Sequence, residues 1–169
     1  MNKGKLIEVI GDVTTPQRID ENEIVIIAHC CNNKNKWGAG VVLAISKKWK
    51  KPEEVYRNFC ERNKNISILG RVCYAKIDDN LIIANMIGQD GVFSKDNLIP
   101  IKYRALANCM SKIAVFVEVE KIKTNKNVVI HAPKFGSNLA KGNWSFVLEL
   151  IREIWLENNI SVVIYEYVG

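Results

Sequence analysis

The sequence predicts an α/β protein in which helices cover both faces of a mixed, mostly parallel sheet of about six strands, giving three α/β/α layers. Short unbroken apolar segments alternate with segments whose apolar residues recur at helical spacing. The segment 24–28 is apolar on both faces, which requires cover on both sides of the sheet. No repeat, linker or low-complexity segment interrupts this alternation, so residues 1–169 are predicted to form a single domain.

The apolar segments give the predicted strands in chain order. They are residues 6–10, 24–28, 71–77, 81–87, 128–130 and 162–165. The polar cluster Asp78-Asp79-Asn80 separates the third from the fourth and is suited to a hairpin turn, which predicts that these two strands are antiparallel neighbours.

Four segments have the apolar spacing of helices. They are residues 41–49 after the glycine turn, the segment opened by Pro52, residues 101–117 behind Pro100, and residues 144–155. A proline is favourable in the first turn of a helix, where its missing N–H costs nothing. We expect residues 101–117 to be the longest helix and residues 144–155 to be the most clearly amphipathic one.

Composition limits the environment and the kind of ligand. Twenty-four Lys and Arg against eighteen Asp and Glu leave a formal charge of +6, which suits an anionic ligand without identifying one. Five cysteines, with no CxxC pair, predict a reducing compartment, the cytoplasm. Apolar runs fall short of the roughly 20 residues of a membrane helix, so no membrane association is expected. Frequent Asn, Lys and Ile are typical of AT-rich genomes, as in phage and low-GC bacteria.

Three predicted strand ends carry unusual sequences. They are Gly11-Asp12, the segment from His29 to Gly40, and Pro133–Asn138. Ligands in open α/β sheets bind beyond the carboxyl ends of the strands, so we expect the three to converge on one crevice. Gly38 and Gly40 precede a helix, where free N–H groups and the helix dipole favour phosphate. A second glycine loop, residues 136–141, also precedes a helix, so two loops would clamp a diphosphate; a single glycine turn has packing explanations as well.

Four segments together resemble the macrodomain family of ADP-ribose-binding modules over essentially the whole chain. They are Ile10–Val13, Ala28–Asn32 with Trp37–Val41, Ile83–Gly91, and Pro133–Ala140 with Gly142–Trp144. The similarity is to the branch that contains the ADP-ribose-1''-phosphate phosphatases of yeast and phage and the terminal ADP-ribose protein glycohydrolases. It implies the macrodomain fold and an ADP-ribose ligand.

The resemblance also implies ligand-binding residues. They are Gly11, Asp12, Val13, Asn32, Trp37, Gly38, Ala39, Gly40, Val41, Phe135, Gly136, Ser137, Asn138, Leu139 and Ala140. Asp12 would accept a hydrogen bond from the adenine amine and Asn32 would contact the distal ribose, while the two loops would bind phosphate through backbone N–H groups. The alternative for Asp12 and Asn32 is a local turn-forming role.

His29, Asn32 and Asp90 are the expected catalytic group. His29 would act as acid or base near the distal ribose, and Asp90 would orient His29 or a water molecule. The alternatives are a buried His29 that donates to a backbone carbonyl and a solvated Asp90. His131 is expected to be structural, and the spacing of the histidines from Cys30 and Cys31 predicts neither a metal site nor a cofactor.

Departures from the family pattern narrow the function. The glycohydrolases have a lysine after the fourth strand and an aspartate in the second loop, where this chain has Gln89 and Ala140, which disfavours a lysine-based mechanism. Asn138 stands where glycine is common, and asparagine tolerates positive φ better than most residues.

The expected function is therefore hydrolysis of the terminal phosphate of ADP-ribose-1''-phosphate. The alternatives are a non-catalytic ADP-ribose reader and a hydrolase that removes ADP-ribose from a modified protein or nucleic acid, with the ADP-ribosylated macromolecule as a partner. No specific nucleic-acid site is expected, because the basic segment Lys47–Lys51 is better explained as a solvated helix end around a packed Trp49.

Overall fold

The computed structural model describes residues 2–169, and six strands of this part of the chain form one sheet. The strands are β1 (Leu6–Ile10), β2 (Ile24–Asn32), β3 (Val72–Asp78), β4 (Leu81–Gln89), β5 (Val128–Pro133) and β6 (Val162–Glu166). Their order is β1-β6-β5-β2-β4-β3, and every neighbouring pair is parallel except β3 with β4. The predicted mixed, mostly parallel sheet and its one antiparallel hairpin are confirmed.

The helices lie where the apolar spacing predicted them, with different ends. They are α1 (Val41–Lys48), α2 (Lys51–Arg62), α3 (Tyr103–Thr124) and α4 (Trp144–Leu150), which continues through a π-helical turn at Ile151–Trp155. α3 extends beyond the predicted residues 101–117 and ends at Asn125, whose left-handed backbone (φ 55°) closes the helix. No helix within residues 2–169 is long and apolar enough to cross a membrane.

Strand β2 lies inside the sheet and shows why the protein has three layers. Its residues Ile24, Ile26 and Ala28 belong to the core under α3 and α4. Val25 and Ile27 belong to the core under α1 and α2, because neighbouring side chains of a strand point to opposite faces. The expectation that the strand is covered on both sides is confirmed.

Strand β2 is longer than its apolar segment. Residues 29–32, expected in a loop, continue the strand because their backbone pairs with β4, with His29 opposite Asn85 and Asn32 opposite Gln89. Ladder pairing in the middle of a sheet outweighs the low strand preference of polar residues. The polar side chains of this segment are therefore held by strand geometry.

Candidate functional site

A cleft of about 950 Å³ crosses the carboxyl ends of β6, β5, β2 and β4. Its walls come from the end of β6, the segment 133–140 after β5, the segment 30–42 at and after β2, and the segment 89–93 after β4. Three strand spacings separate β6 from β4, a width of about 14 Å. Two of the three predicted strand ends, those of β2 and β5, line this cleft.

The first glycine loop lies in the middle of the cleft. Trp37, Gly38, Ala39, Gly40 and Val41 all line it. α1 starts at Val41 directly after Gly40, and no side chain of the described chain caps this helix start. The N–H of Leu43 donates to the carbonyl of Gly40 at 3.1 Å, but no side chain of the described residues occupies the N–H groups of Val41 and Val42. The helix dipole makes this point favourable for an anion.

Two features of the chain at Gly40 disfavour a side chain at this position. Its backbone has φ 78° and ψ −147°, a region that is essentially limited to glycine. A Cβ atom at this position would lie 3.0 Å from Cδ1 of Leu139 in the second loop. The two loops thus meet across the cleft at Gly40.

The second loop closes on itself. Its residues Phe135, Gly136, Ser137, Asn138, Leu139 and Ala140 line the cleft. The N–H of Gly142 donates to the carbonyl of Gly136 at 2.8 Å, and the N–H of Lys141 donates to that of Asn138 at 3.2 Å. Positive φ occurs at Gly136 (75°) and Lys141 (63°) and not at Asn138, so the loop does not use the tolerance of asparagine for positive φ.

The helix after the second loop does not offer a free N-terminus. Asn143 caps α4, and its side-chain oxygen accepts from the N–H groups of Ser145 and Phe146. The expectation that a free helix start follows the second loop is therefore wrong, because the Asn143 side chain occupies these N–H groups. A clamp of the diphosphate by the backbone of both loops stays a prediction.

Gly11, Asp12 and Val13 lie next to the cleft and not on its wall. The N–H of Gly11 donates to the carbonyl of the lining residue Glu166 at 3.0 Å. Oδ1 of Asp12 accepts from the N–H and the hydroxyl of Thr14 at 2.8 and 2.7 Å, a local turn, and Val13 is buried in the core. A ligand contact of Asp12 stays a prediction.

A buried polar chain lies beneath the β6 end of the cleft. The hydroxyl of Tyr165 accepts from the N–H of Gln17 at 2.7 Å and shares a hydrogen bond of 2.7 Å with Nδ1 of His131. Nε2 of His131 lies 3.8 Å from Oε2 of Glu23, and both side chains are fully buried. Burial lowers the pKa of His131 to about 4 and raises the pKa of Glu23. Through its contact with Tyr165, which lines the cleft, the buried His131 connects the core to the cleft wall.

His29 is absent from the cleft. Its ring is fully buried, its Nε2 lies 2.5 Å from Oδ1 of Asn85, and its edge packs against Trp37 with ring centroids 5.6 Å apart. Burial lowers its pKa to about 4. The expectation that His29 handles a proton at the ligand is wrong, because strand alternation turns it into the core under α1 and α2. The alternative was a buried His29 that donates to a backbone carbonyl. The ring is buried, but its partner is the side-chain amide of Asn85.

Asn32 lines the cleft, but its amide is bound within the protein. Nδ2 donates to the carbonyl of Lys36 at 2.8 Å, and Oδ1 accepts from the N–H groups of Lys34 and Lys36 at 2.9 and 3.2 Å. The hydroxyl of Tyr56 also donates to Oδ1, at 2.9 Å. These contacts agree with the alternative interpretation of Asn32, a local turn-forming role. A contact of Asn32 with the distal ribose stays a prediction.

Asp90 lies next to the β4 end of the cleft, one residue beyond the lining residue Gln89, and does not itself line the cleft. Its Oδ1 accepts from Nδ2 of Asn33 at 3.0 Å. His29 is bound to Asn85, so the expectation that Asp90 orients His29 is wrong. Whether Asp90 orients a water molecule stays a prediction.

Several lining residues were not identified from the sequence. They are Asn35, Lys36, Arg57, Val92, Phe93, Lys134, Tyr165, Glu166 and Tyr167. In the sequence, Arg57 is one more charge on the solvated face of α2. Only the packing of α2 against β3, β4 and α1 brings it to the cleft. Tyr165 and Glu166 end β6, and Tyr167 follows it. The sequence did not identify them as lining residues because it does not show where β6 lies in the sheet.

The other reactive-looking residues have structural surroundings. Burial raises the pKa of the Cys30 and Cys31 thiols, which keeps them protonated. Lys48 and Lys51 of the basic segment donate to backbone carbonyls of Thr14 and Lys76. The part of the chain that the structure describes contains no cluster of three or more metal-binding side chains.

Three comparisons place this geometry among known proteins. The ADP-ribose 1''-phosphate phosphatase of Candida albicans is 27% identical over 144 residues, which are 85% of this chain and 89% of the relative. A macrodomain protein from Streptomyces coelicolor is 31% identical, with a TM-score of 0.80 over 98% of this chain and 100% of the other. DarTG of Thermosipho africanus, solved in complex with ADP-ribose, is 16% identical, with a TM-score of 0.71 over 95% of this chain and 41% of the other.

No model of a known protein family matches the sequence. The Streptomyces relative, however, has the same fold over its full length at 31% identity. The three layers, the strand order and the cleft at the carboxyl ends of the strands agree with that similarity. The chain belongs to the macrodomain family.

Proposed function

We propose that the cleft binds ADP-ribose and that the protein hydrolyses ADP-ribose-1''-phosphate to ADP-ribose and inorganic phosphate. The observation that carries the proposal is the uncapped N-terminus of α1 in the middle of a cleft that crosses four strand ends. The phosphatase name of the Candida relative and the ADP-ribose held by DarTG support the choice of ligand.

The direction that we propose for the ligand rests on the expected contact of Asp12 with the adenine and on the order of the strands. Asp12 follows β1 next to the β6 end, so the adenine lies there if Asp12 is its acceptor. The diphosphate then lies between the two loops in the middle, where Gly40 and Leu139 meet. The distal ribose and its terminal phosphate reach the β4 end, beside Asn32 and Gln89.

Hydrolysis needs a water molecule to attack the terminal phosphorus while the bond from phosphorus to the ribose oxygen breaks. The ribose oxygen keeps the electron pair and takes up a proton, and phosphate leaves. His29 does not reach this point, so we assign the orientation of the water to Asp90, whose carboxylate is already held by Asn33. A carboxylate accepts hydrogen bonds only, which suits this role.

The walls of the cleft argue against a lysine-based glycohydrolase. Gln89 and Ala140 occupy the positions of that branch's lysine and aspartate, and both line the cleft. Neither side chain carries an amine or a carboxylate. Removal of ADP-ribose from a macromolecule would thus need different groups from those of the glycohydrolases.

A reducing compartment, the cytoplasm, fits this function. All five cysteines are free thiols, and four of them are buried. An oxidising compartment selects for paired cysteines in small proteins.

Phosphate release and ligand binding test the proposal separately. Purified protein is incubated with ADP-ribose-1''-phosphate, and inorganic phosphate is followed for the native chain, Asp90→Asn and the control Asp96→Asn. Asp96 is an exposed carboxylate of the same loop. We expect Asp90→Asn to lower kcat at least 100-fold and Asp96→Asn to leave it within twofold.

Calorimetry with ADP-ribose gives the second measurement. Binding without phosphate release would replace the phosphatase by the reader alternative. Absence of binding would overturn the proposed function as a whole.

A further inference from the structure

Building on the proposed function, we infer that Lys36 and Arg57 form a subsite for the terminal phosphate and make the protein prefer ADP-ribose-1''-phosphate over ADP-ribose. Both residues line the β4 end of the cleft, which receives the distal ribose when the adenine lies near β6. The ligand chemistry is a phosphomonoester dianion.

The two ends of the cleft differ in charge. At the β6 end, Lys134 pairs with Glu166 at 3.5 Å, so the two charges balance. At the β4 end, the charged lining residues are Lys36 and Arg57, both positive. No carboxylate of residues 2–169 forms an ion pair with Lys36. Lys36 is therefore a positive charge without a carboxylate partner at the end where the terminal phosphate would lie. Arg57, which pairs with Glu53 at 2.9 Å, lines the same end.

Arg57 is fixed in place by a chain of hydrogen bonds that starts on the cleft wall. The indole N–H of Trp37 donates to the hydroxyl of Ser46 at 2.7 Å, and this hydroxyl donates to Oε2 of Glu53 at 3.1 Å. Nε and Nη2 of Arg57 contact Oε1 of Glu53 at 3.0 and 2.9 Å. Nη1 donates to the carbonyl of Asn35 at 2.9 Å. A guanidinium held in this way loses little conformational entropy when it binds an anion.

Arg57 also remains accessible. Its side chain is 43% exposed, and its contacts with Glu53 and Asn35 use fewer than the five N–H groups of a guanidinium. Arginine binds phosphate oxygens through such N–H groups.

Lys36 is positioned by Asn32. The amide of Asn32 accepts from the N–H of Lys36 and donates to its carbonyl, so one side chain pins the backbone of Lys36 on both sides. Lys34, two residues earlier in the same loop, is exposed and does not line the cleft. The side chain of Asn32 thus fixes the backbone of Lys36 beside the cleft.

The ratio of two dissociation constants tests the inference. ADP-ribose and ADP-ribose-1''-phosphate compete with a fluorescent ADP-ribose derivative, in Asp90→Asn protein so that turnover is slow. We expect at least a tenfold preference for the phosphorylated ligand at low ionic strength. Lys36→Gln and Arg57→Gln should each reduce it about fivefold, the double variant should abolish it, and the affinity for ADP-ribose should change less than twofold.

Lys34→Gln is the matched control, because it removes one positive charge from the same loop outside the cleft. We expect it to keep the preference within twofold. Arg57→Lys keeps the charge and should retain part of the preference, and thermal unfolding of each variant shows that it is folded. Inorganic phosphate should weaken the binding of the phosphorylated ligand more than that of ADP-ribose, as expected if the free ion occupies the same subsite.

Each outcome has one meaning. Equal affinity of the parent protein for both ligands, or a preference that survives in the double variant, overturns the terminal-phosphate subsite and leaves ADP-ribose binding intact. Failure to bind either ligand overturns the proposed function instead. A loss of preference in Lys34→Gln equal to that in Lys36→Gln shows a general charge effect and also overturns the subsite.

Discussion

Two neighbouring stretches of the chain, the end of β2 at residues 29–32 and the loop at residues 38–41, use their polar groups in opposite ways. In the first, His29 is bound to Asn85, and the amide of Asn32 is bound to the loop that follows. In the second, the backbone at the start of α1 has no side-chain cap within the described residues. The first stretch is satisfied internally, and the second is left open to a ligand.

The difference follows from burial. A polar side chain inside a sheet must find a partner within the protein, since an unpaired buried donor or acceptor costs about 1–3 kcal/mol. A helix start at the edge of a cleft is hydrated when empty and pays no such cost. Polar and titratable side chains on a buried strand are therefore weaker evidence of function than free backbone N–H groups beside a cavity.

The largest expected effect is that of His29→Ala. Removing a fully buried ring and its bond to Asn85 leaves a cavity and an unpaired amide oxygen, which lowers the free energy of unfolding by about 3 kcal/mol. Urea unfolding measures this loss. Calorimetry on the folded variant should give an ADP-ribose affinity within twofold of the native value. A stable variant with weakened binding would contradict the view that His29 serves the fold and not the ligand.

Gly40→Ala should show the reverse pattern. An alanine at φ 78° strains the loop, and its Cβ, 3.0 Å from Cδ1 of Leu139, also requires that exposed side chain to move, at a total cost of about 1–3 kcal/mol. We expect this cost to appear as an ADP-ribose affinity at least tenfold weaker. Gly38→Ala is the matched control, because a Cβ there meets nothing within 4 Å. Equal effects of the two substitutions would show that Gly40 has no special role.

Lowering the pH should reduce the stability of the protein through its two buried histidines, one of which lies in residues 29–32. It should not act on the loop at residues 38–41. Burial lowers the pKa of His29 and of His131 to about 4, from 6.5 in the unfolded chain. Between these values the unfolded chain binds more protons, so stability falls as the pH falls, by about 1.5 kcal/mol per histidine from pH 6.5 to 5. Urea unfolding at several pH values measures the slope, which His29→Gln should reduce by about half. An unchanged slope in this variant would contradict the buried, neutral state of His29.

The smallest expected effect concerns the second loop. Asn143→Ala removes the cap of α4 and should cost about 1 kcal/mol of stability. ADP-ribose affinity should stay within twofold, because that helix start is not a ligand site. A large change in affinity would mean that both helices contribute to anion binding.

Much of the fold was predictable because apolar periodicity reports which faces are buried. The hairpin around residues 78–80 and the double-sided cover of β2 are two examples. The orientation of His29 was not predictable, because it depends on how far β2 continues alongside β4. For Asp90, the sequence indicated a site next to the cleft, and the contact with Asn33 came only from the fold.

The sequence by itself determined the three layers, the two glycine loops and the resemblance to macrodomains, since these depend on local spacing and on residue type. Tertiary structure alone decided which side chains face the cleft. Arg57 comes to Asn35 across 22 residues of chain, and Tyr165 comes to Gln17 across 148, through packing and strand order that no local pattern encodes. The charge at the β4 end of the cleft is a property of that packing.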